Sequence, residues 1–141
     1  MYIIKSMKRK KINKRSAKQK KKDAIHATIR EICLIRHPYC VICGKSEGVL
    51  QGGHLIPKAR SEAVRYDLMN VFTSCQGCNW RHTKNQHPMI EWFIREYGEE
   101  EYLSLIEKSR LIVKDRMWEL EATHDDLKQV LFDLKKLREA R

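Results

Sequence analysis

Acidic side chains are missing from the first 22 residues of this 141-residue chain, and long apolar runs are missing from all of it. No segment approaches the ~18 consecutive apolar residues that a membrane-spanning helix needs. The opening Met1-Tyr2-Ile3-Ile4-Lys5 has too short an apolar stretch for a signal peptide. No internal repeat is found. A disulfide framework is not indicated either. Four of the five cysteines form two Cys-x-x-Cys pairs, a metal-type spacing that suits a reducing cytoplasm. Cys33 is left over, and with Ile29, Ile32 and Ile35 in a helical pattern it reads as a buried core thiol.

Positive charge is in excess, and the excess sits in one place. The formal net charge is +11, and residues 1–22 hold eleven Lys or Arg. The remainder carries 18 basic and 18 acidic residues and is neutral. Residues 1–22 are therefore expected to be a basic arm that attracts phosphates and responds to salt. Lys8, Arg9, Lys10, Lys11, Lys14 and Arg15 would be its DNA contacts. A solubilising tail is the plainer account, but charge this dense favours nucleic acid. Neither account confers sequence specificity.

Past the arm, Ile25, Ile29, Ile32 and Cys33 recur at helical spacing and predict a helix from about Asp23 to Arg36, closed by Pro38. Val49 to His54 reads as a strand, and Asn70 to Thr73 as its partner, with Leu55–Leu68 connecting them. A helix is expected from Cys78, with Trp80 and Arg81 on its first turn. Pro88 to Tyr97 reads as a helix stopped by Gly98. A second helix is expected from Glu99, and a third from about Thr123, where Asp126 would complete a capping pair. The leucine face of residues 127–137 either folds back on the core or supplies a homodimer interface. Trp80, Trp92, Trp118 and Phe93 are expected to pack rather than to stack on bases.

Chemistry concentrates between Cys40 and Asn79. The cysteine-bearing stretch is about fifty residues, too short to rely on an apolar core alone. Cys40, Cys43, Cys75 and Cys78 are expected to hold a structural zinc ion, with thiolate at every position and none left open for water. The 31 residues between Cys43 and Cys75 exceed what a zinc ribbon needs. They include Gly52-Gly53-His54, whose glycines would let a backbone or a phosphate come close. A lone histidine at a strand end is ordinarily satisfied by a backbone carbonyl. Here Asn70 and Asn79 accompany it. Lys58, Arg60, Arg65, Arg81 and Lys84 flank the region as candidate phosphate contacts, though each alone reads as a solvated charge.

The order Cys-x-x-Cys, His54-Leu55-Ile56-Pro57, Asn70-Val71, Cys75-x-x-Cys78-Asn79 resembles the HNH, or ββα-metal, nuclease superfamily. More narrowly, three features are similar to the bacteriophage NinG (Rap) recombination nucleases. These are Gly52-Gly53-His54, then Arg65-Tyr66-Asp67 with Asn70-Val71, then Cys75-Gln76-Gly77-Cys78-Asn79. A helix ending in Tyr97-Gly98 fits as well, so the likeness runs from about Cys40 to Gly98.

The resemblance implies an α+β fold: a small ββα-metal core stapled by Cys₄ zinc, with flanking N- and C-terminal helices. The divisions would be an arm at 1–22, a nuclease core at 23–98 and a helical extension at 99–141. It implies a metal-dependent DNA endonuclease acting on branched recombination intermediates, in the cytoplasm of a bacterial host. His54 would be the general base, Asn70 would tie the loop to the helix, and Asn79 would bind Mg²⁺ or Mn²⁺. Many HNH nucleases carry a second cation ligand directly before the base, where this chain has Gly53. His82, one helical turn after Asn79, and Asp67 are the candidate substitutes. The alternative is a zinc-stabilised DNA-binding module that has lost catalysis.

Overall fold

The computed structural model describes residues 15–141, so Lys8, Arg9, Lys10, Lys11 and Lys14 lie outside the described residues. Seven elements follow in order: α1 (Ala17–Arg36), β1 (Leu50–His54), β2 (Val71–Cys75), α2 (Gln76–His82), α3 (His87–Tyr97), α4 (Glu99–Ser109) and α5 (Met117–Glu139). The two strands pair antiparallel, with Leu50 opposite Cys75, Gln51 opposite Ser74 and His54 opposite Val71.

The hairpin is covered on both faces, so all five residues of β2 are buried. Neighbouring strand residues point to opposite faces. Val71 joins Ile25, Ile29, Ile32 and Cys33 of α1 with Leu120 and Leu127 of α5. Phe72 faces the other way, into Met89, Trp92 and Phe93 of α3, with Leu105 of α4 behind them. Its ring meets Trp92 and Phe93 edge-on at centroid distances of 4.9 and 5.8 Å. Offset and edge-on aromatic packing of this kind adds to simple burial. Cys33 is the expected core thiol. It donates to Val71 O at 3.3 Å, and burial pushes it up to about 11.

Several expectations about boundaries and packing are corrected. Helix α1 starts at Ala17 rather than Asp23, because Ser16 caps it by accepting from the Gln19 amide at 3.1 Å. The last residues of the basic stretch are therefore its first turns. Helix α2 starts at Gln76, not Cys78, with Cys75 as its N-cap. Trp80 therefore falls on its second turn. Helix α5 starts at Met117, where Glu119 reaches back to the Arg116 amide at 3.3 Å, so Thr123 and Asp126 lie inside it. Trp92 packs, but Trp80 and Trp118 are 61% and 63% exposed. On the leucine face of α5, Leu127, Val130, Leu131 and Leu134 pack against α1 of the same chain, and Leu137 stays exposed. Among the described residues, no helix is long and apolar enough to cross a membrane.

Candidate functional site

Three segments bring the four cysteines together. Cys40 and Cys43 lie on a tight turn after α1, closed by Gly44 N–H donating to Cys40 O at 2.8 Å. Gly44 there adopts φ +77°, a conformation that other residues rarely take. Cys75 ends β2 and Cys78 sits in the first turn of α2. All four sulfurs lie within 4.8 Å of one another, and Cys43 and Cys75 are 3.8 Å apart. A zinc tetrahedron with ~2.3 Å Zn–S bonds has an edge of ~3.8 Å. The donor set therefore fits a metal such as zinc.

Two further contacts suit thiolate. The Cys78 amide donates to Cys75 Sγ at 3.4 Å and is the main reason that thiol falls to about 7. Arg81 Nη2 donates to Cys78 Sγ at 3.6 Å, opposing the burial that pushes this thiol up to about 12. Arg81, expected on DNA, is thus turned toward the sulfur cluster, where its charge offsets that of the thiolates.

His54 ends β1. Its Nε2 lies 2.9 Å from the carbonyl oxygen of Arg65. A carbonyl can only accept, so Nε2 carries the proton and Nδ1 is left as the basic nitrogen. Burial is the main force holding the ring down to about 4, and the charges of Lys58 and Arg65 add to it. His54 is therefore neutral at pH 7. From the other side, the His26 ring of α1 meets His54 edge-on at 5.5 Å. His26 is also held down to about 4, mainly by burial. Sequence reading assigned His26 nothing, because a contact 28 positions away leaves no local spacing to recognise.

Asn70 is fully buried and spends both ends of its carboxamide on the connecting loop. The Ile56 amide donates to Oδ1 at 2.7 Å, and Nδ2 donates to Ile56 O at 3.1 Å and Val64 O at 3.0 Å. It therefore pins the loop's start to its end, where a tie to the following helix was expected. Asn79 Nδ2 donates to Gln51 Oε1 at 2.7 Å. That bond turns the amide oxygen toward Gly53, 3.1 Å from where a Cβ would stand.

The remaining candidates divide. His82 is only 5% exposed, and its Nε2 lies 3.0 Å from Leu55 O. Its visible task is to strap α2 to the end of β1 rather than to offer that nitrogen to a cation. Asp67 pairs with Lys108 at 2.6 Å and accepts from the Met69 amide. It lines a separate cavity with Tyr66 and Lys108. Arg65 Nη1 pairs with Glu62 at 2.8 Å, so its backbone rather than its guanidinium serves the site. Lys84 sits 4.9 Å over the exposed Trp80 ring. Lys58 and Arg60 stand exposed on the rim.

His54, Asn79, His82, Lys58 and Arg60 border one groove. A cavity of about 400 Å³ is lined by His54, Asn79 and His82 together with Lys58 and Arg60. A second, of about 240 Å³, shares Gly52, His54 and Lys58 with it and is walled by His26 and Arg30 of α1. A Cβ at Gly52 would press on Val71 of β2 at 3.1 Å, while the Arg30 backbone of α1 lies 3.9 Å away, at ordinary contact. Arg30, also missed from sequence, is fixed by Nε donating to Leu50 O at 3.0 Å.

Fold and site together define a mixed α+β protein with a cysteine cluster able to hold a metal. Residues 4–139 match the model of the NinG family, described as Bacteriophage Lambda NinG protein. The chain belongs to that family. Neither the curated proteins nor the solved structures include a match.

The two depressed imidazoles make an acid-side prediction. Both are neutral when folded and regain an ordinary value near 6.5 when unfolded. Between about pH 6.5 and 4 the unfolded chain binds more protons, so stability falls as pH drops through that window. Urea titrations at pH 7 and 5 should show the loss, and it should shrink in a His26→Asn/His54→Asn variant. An unchanged pH slope in that variant would show that other groups govern acid lability.

Proposed function

We propose that this protein is an HNH-type, metal-dependent DNA endonuclease whose ββα core is β1, β2 and α2. The observation that carries the reading is that His54 and Asn79 open onto one basic groove, with the basic nitrogen of His54 left free by the Arg65 carbonyl. Lys58, Arg60 and Arg30 would hold the phosphodiester backbone. His54 Nδ1 would accept the proton of the attacking water, in line with the departing 3′ oxygen. Asn79 would bind Mg²⁺ or Mn²⁺, which when present neutralises charge developing on the phosphate and the leaving oxygen. Zinc on Cys75 and Cys78 would fix the first turn of α2, and so place Asn79. The products would carry 5′-phosphate and 3′-hydroxyl ends, and membership of a phage recombination family supports branched DNA as substrate.

The test is cleavage of branched and linear DNA in Mg²⁺ or Mn²⁺ by wild type and His54→Ala. Loss of a general base typically costs about 10²- to 10⁴-fold. We expect that loss with DNA affinity unchanged within a few-fold. Full activity in the variant removes His54 as the base. No cleavage by either protein favours the second reading, a zinc-braced DNA-binding module, which Gly53, standing directly before His54 where a cation ligand is usual, supports.

Affinity should separate from chemistry at the N-terminus. Deleting residues 1–14 spares the Ser16 cap and removes six Lys or Arg. The salt dependence of DNA binding, as log K against log [salt], should become shallower by as much as ~5. Cleavage should persist at high enzyme concentration. An unchanged salt slope would make the segment a mere tail.

A further inference from the structure

Helix α2 borders more than one cavity, and the endonuclease reading uses only the His54 groove. Asn79 and His82 line that groove, whereas Gln76, Trp80 and Arg81 line a separate cavity of about 660 Å³. Lys45 and Val49, from the stretch before β1, line the same cavity. Among the described residues, no Asp or Glu does.

Trp80 has no evident task in the fold. Buried Cys78 and His82 anchor α2, while the Trp80 ring stays largely in solvent. A single exposed apolar residue needs no explanation, although tryptophan is usually well buried. Trp80 is not single, because exposed Val49 borders the cavity with it. Lys84 Nζ lies 4.9 Å over the ring but does not line the cavity, so the cavity side of the ring is left open. A flat apolar face edged by cations, with no acid nearby, fits a nucleobase and its flanking phosphates. An apolar peptide would cover the ring and Val49 but leave Lys45 and Lys84 without a matching charge.

We propose, building on the DNA reading above, that Trp80 is a stacking platform for an unpaired nucleobase close to the cut bond. Asn79 opens onto the groove and Trp80, the next residue, onto the platform. A strand whose phosphate sits at His54 therefore crosses α2 to reach the ring. Stacking needs a free base face, and inside a continuous duplex both faces are covered by neighbouring bases. The platform thus favours DNA that leaves a base unpaired at a branch, a flap or a gap. It does so without reading base identity, since every base has a face to stack. Lys45 and Lys84 hold the flanking phosphates.

The experiment uses the full zinc-loaded chain carrying His54→Ala, so that DNA stays intact. The probes are a branched oligonucleotide with 2-aminopurine unpaired at the branch and a continuous duplex of the same length. Adding Trp80→Ala should weaken binding to the branched probe by roughly 5- to 150-fold, the range that loss of one base–aromatic stack gives. Binding to the duplex, zinc content and the urea midpoint should not change. Trp80→Phe should keep most of the branched-probe affinity. The parent should quench 2-aminopurine fluorescence, and Trp80→Ala should not. Equal losses on both probes, no loss on either, or quenching that survives Trp80→Ala overturns the proposal. So does a Trp80→Ala variant that loses only self-association in sedimentation, which would make this face an interface between copies. Wild-type cleavage with no Trp80 effect on branched DNA rejects the platform and keeps the endonuclease. Stacking on Trp80 without cleavage by wild type keeps the platform and rejects the endonuclease.

Discussion

Cys78→Ser should produce a protein that binds less than one zinc per chain and loses the fold between residues 40 and 82. Structural zinc contributes on the order of 10–16 kcal/mol in small modules, comparable to the whole stability of a domain. Here the ion would join three pieces of chain: the turn after α1, the end of β2 and the start of α2. Little else holds that corner, because the apolar cover around the cysteines is limited to Leu50 with Leu34 and Ile42. Hydrogen exchange should show amides of residues 40–82 losing protection, while α1 and α5 keep part of theirs through their shared leucine contacts. DNA cleavage should vanish with the metal, and a strong chelator should reproduce both effects in wild type. Cys33→Ser is the control, since Cys33 lies outside the cluster and should leave zinc content unchanged. Full amide protection in metal-free protein would show that packing alone holds the corner.

Asn70→Ala should be the most damaging single change away from the cysteines. It strips hydrogen bonds from Ile56 N, Ile56 O and Val64 O in a site closed to water. Leaving a buried polar group unpaired costs about 1–3 kcal/mol, so three together should cost on the order of 3–9 kcal/mol. Asn70→Asp should be no better. One carboxylate oxygen could still accept from the Ile56 amide, but the other would face two carbonyl oxygens. The urea midpoint measures the loss. The site should register it too, because Arg65, whose carbonyl fixes His54, directly follows the pinned Val64. A loosened loop should blur the His54 tautomer in nitrogen-15 spectra. A shift in midpoint equivalent to less than ~1 kcal/mol for either variant would mean the loop is held by other contacts.

The parts of this fold that were legible in sequence are those where chemistry fixes spacing. Paired thiols with two residues between them announce a metal cluster whatever surrounds them, and the structure brings all four to one point. The hairpin was found to within two residues, from two short apolar runs, one beside glycines and one leading into the second cysteine pair. Helix ends were less visible. Ser16 is an ordinary cap, but it stands among lysines that were read only as a basic arm. Arg116 is not a capping residue type, so the start of α5 gave no signal. His82 was only half visible. Its spacing from Asn79 is that of a ligand, while its burial against Leu55 O is a fact of packing that no spacing encodes. His26 and Arg30 were illegible for the same reason, because each matters through a neighbour distant in sequence.

Helix α1 lies outside the hairpin-and-helix unit that the motif outlines, yet it covers Val71 and stands against His54. A fragment cut to the motif, from Cys40 to Gly98, would bare one whole side of the hairpin to water. It would also leave the imidazole without its neighbour. The smallest independent piece of this protein is thus larger than its signature. Fusions or truncations designed on the motif alone should yield insoluble material, and any graft of this centre into another scaffold must carry residues 16–36 with it.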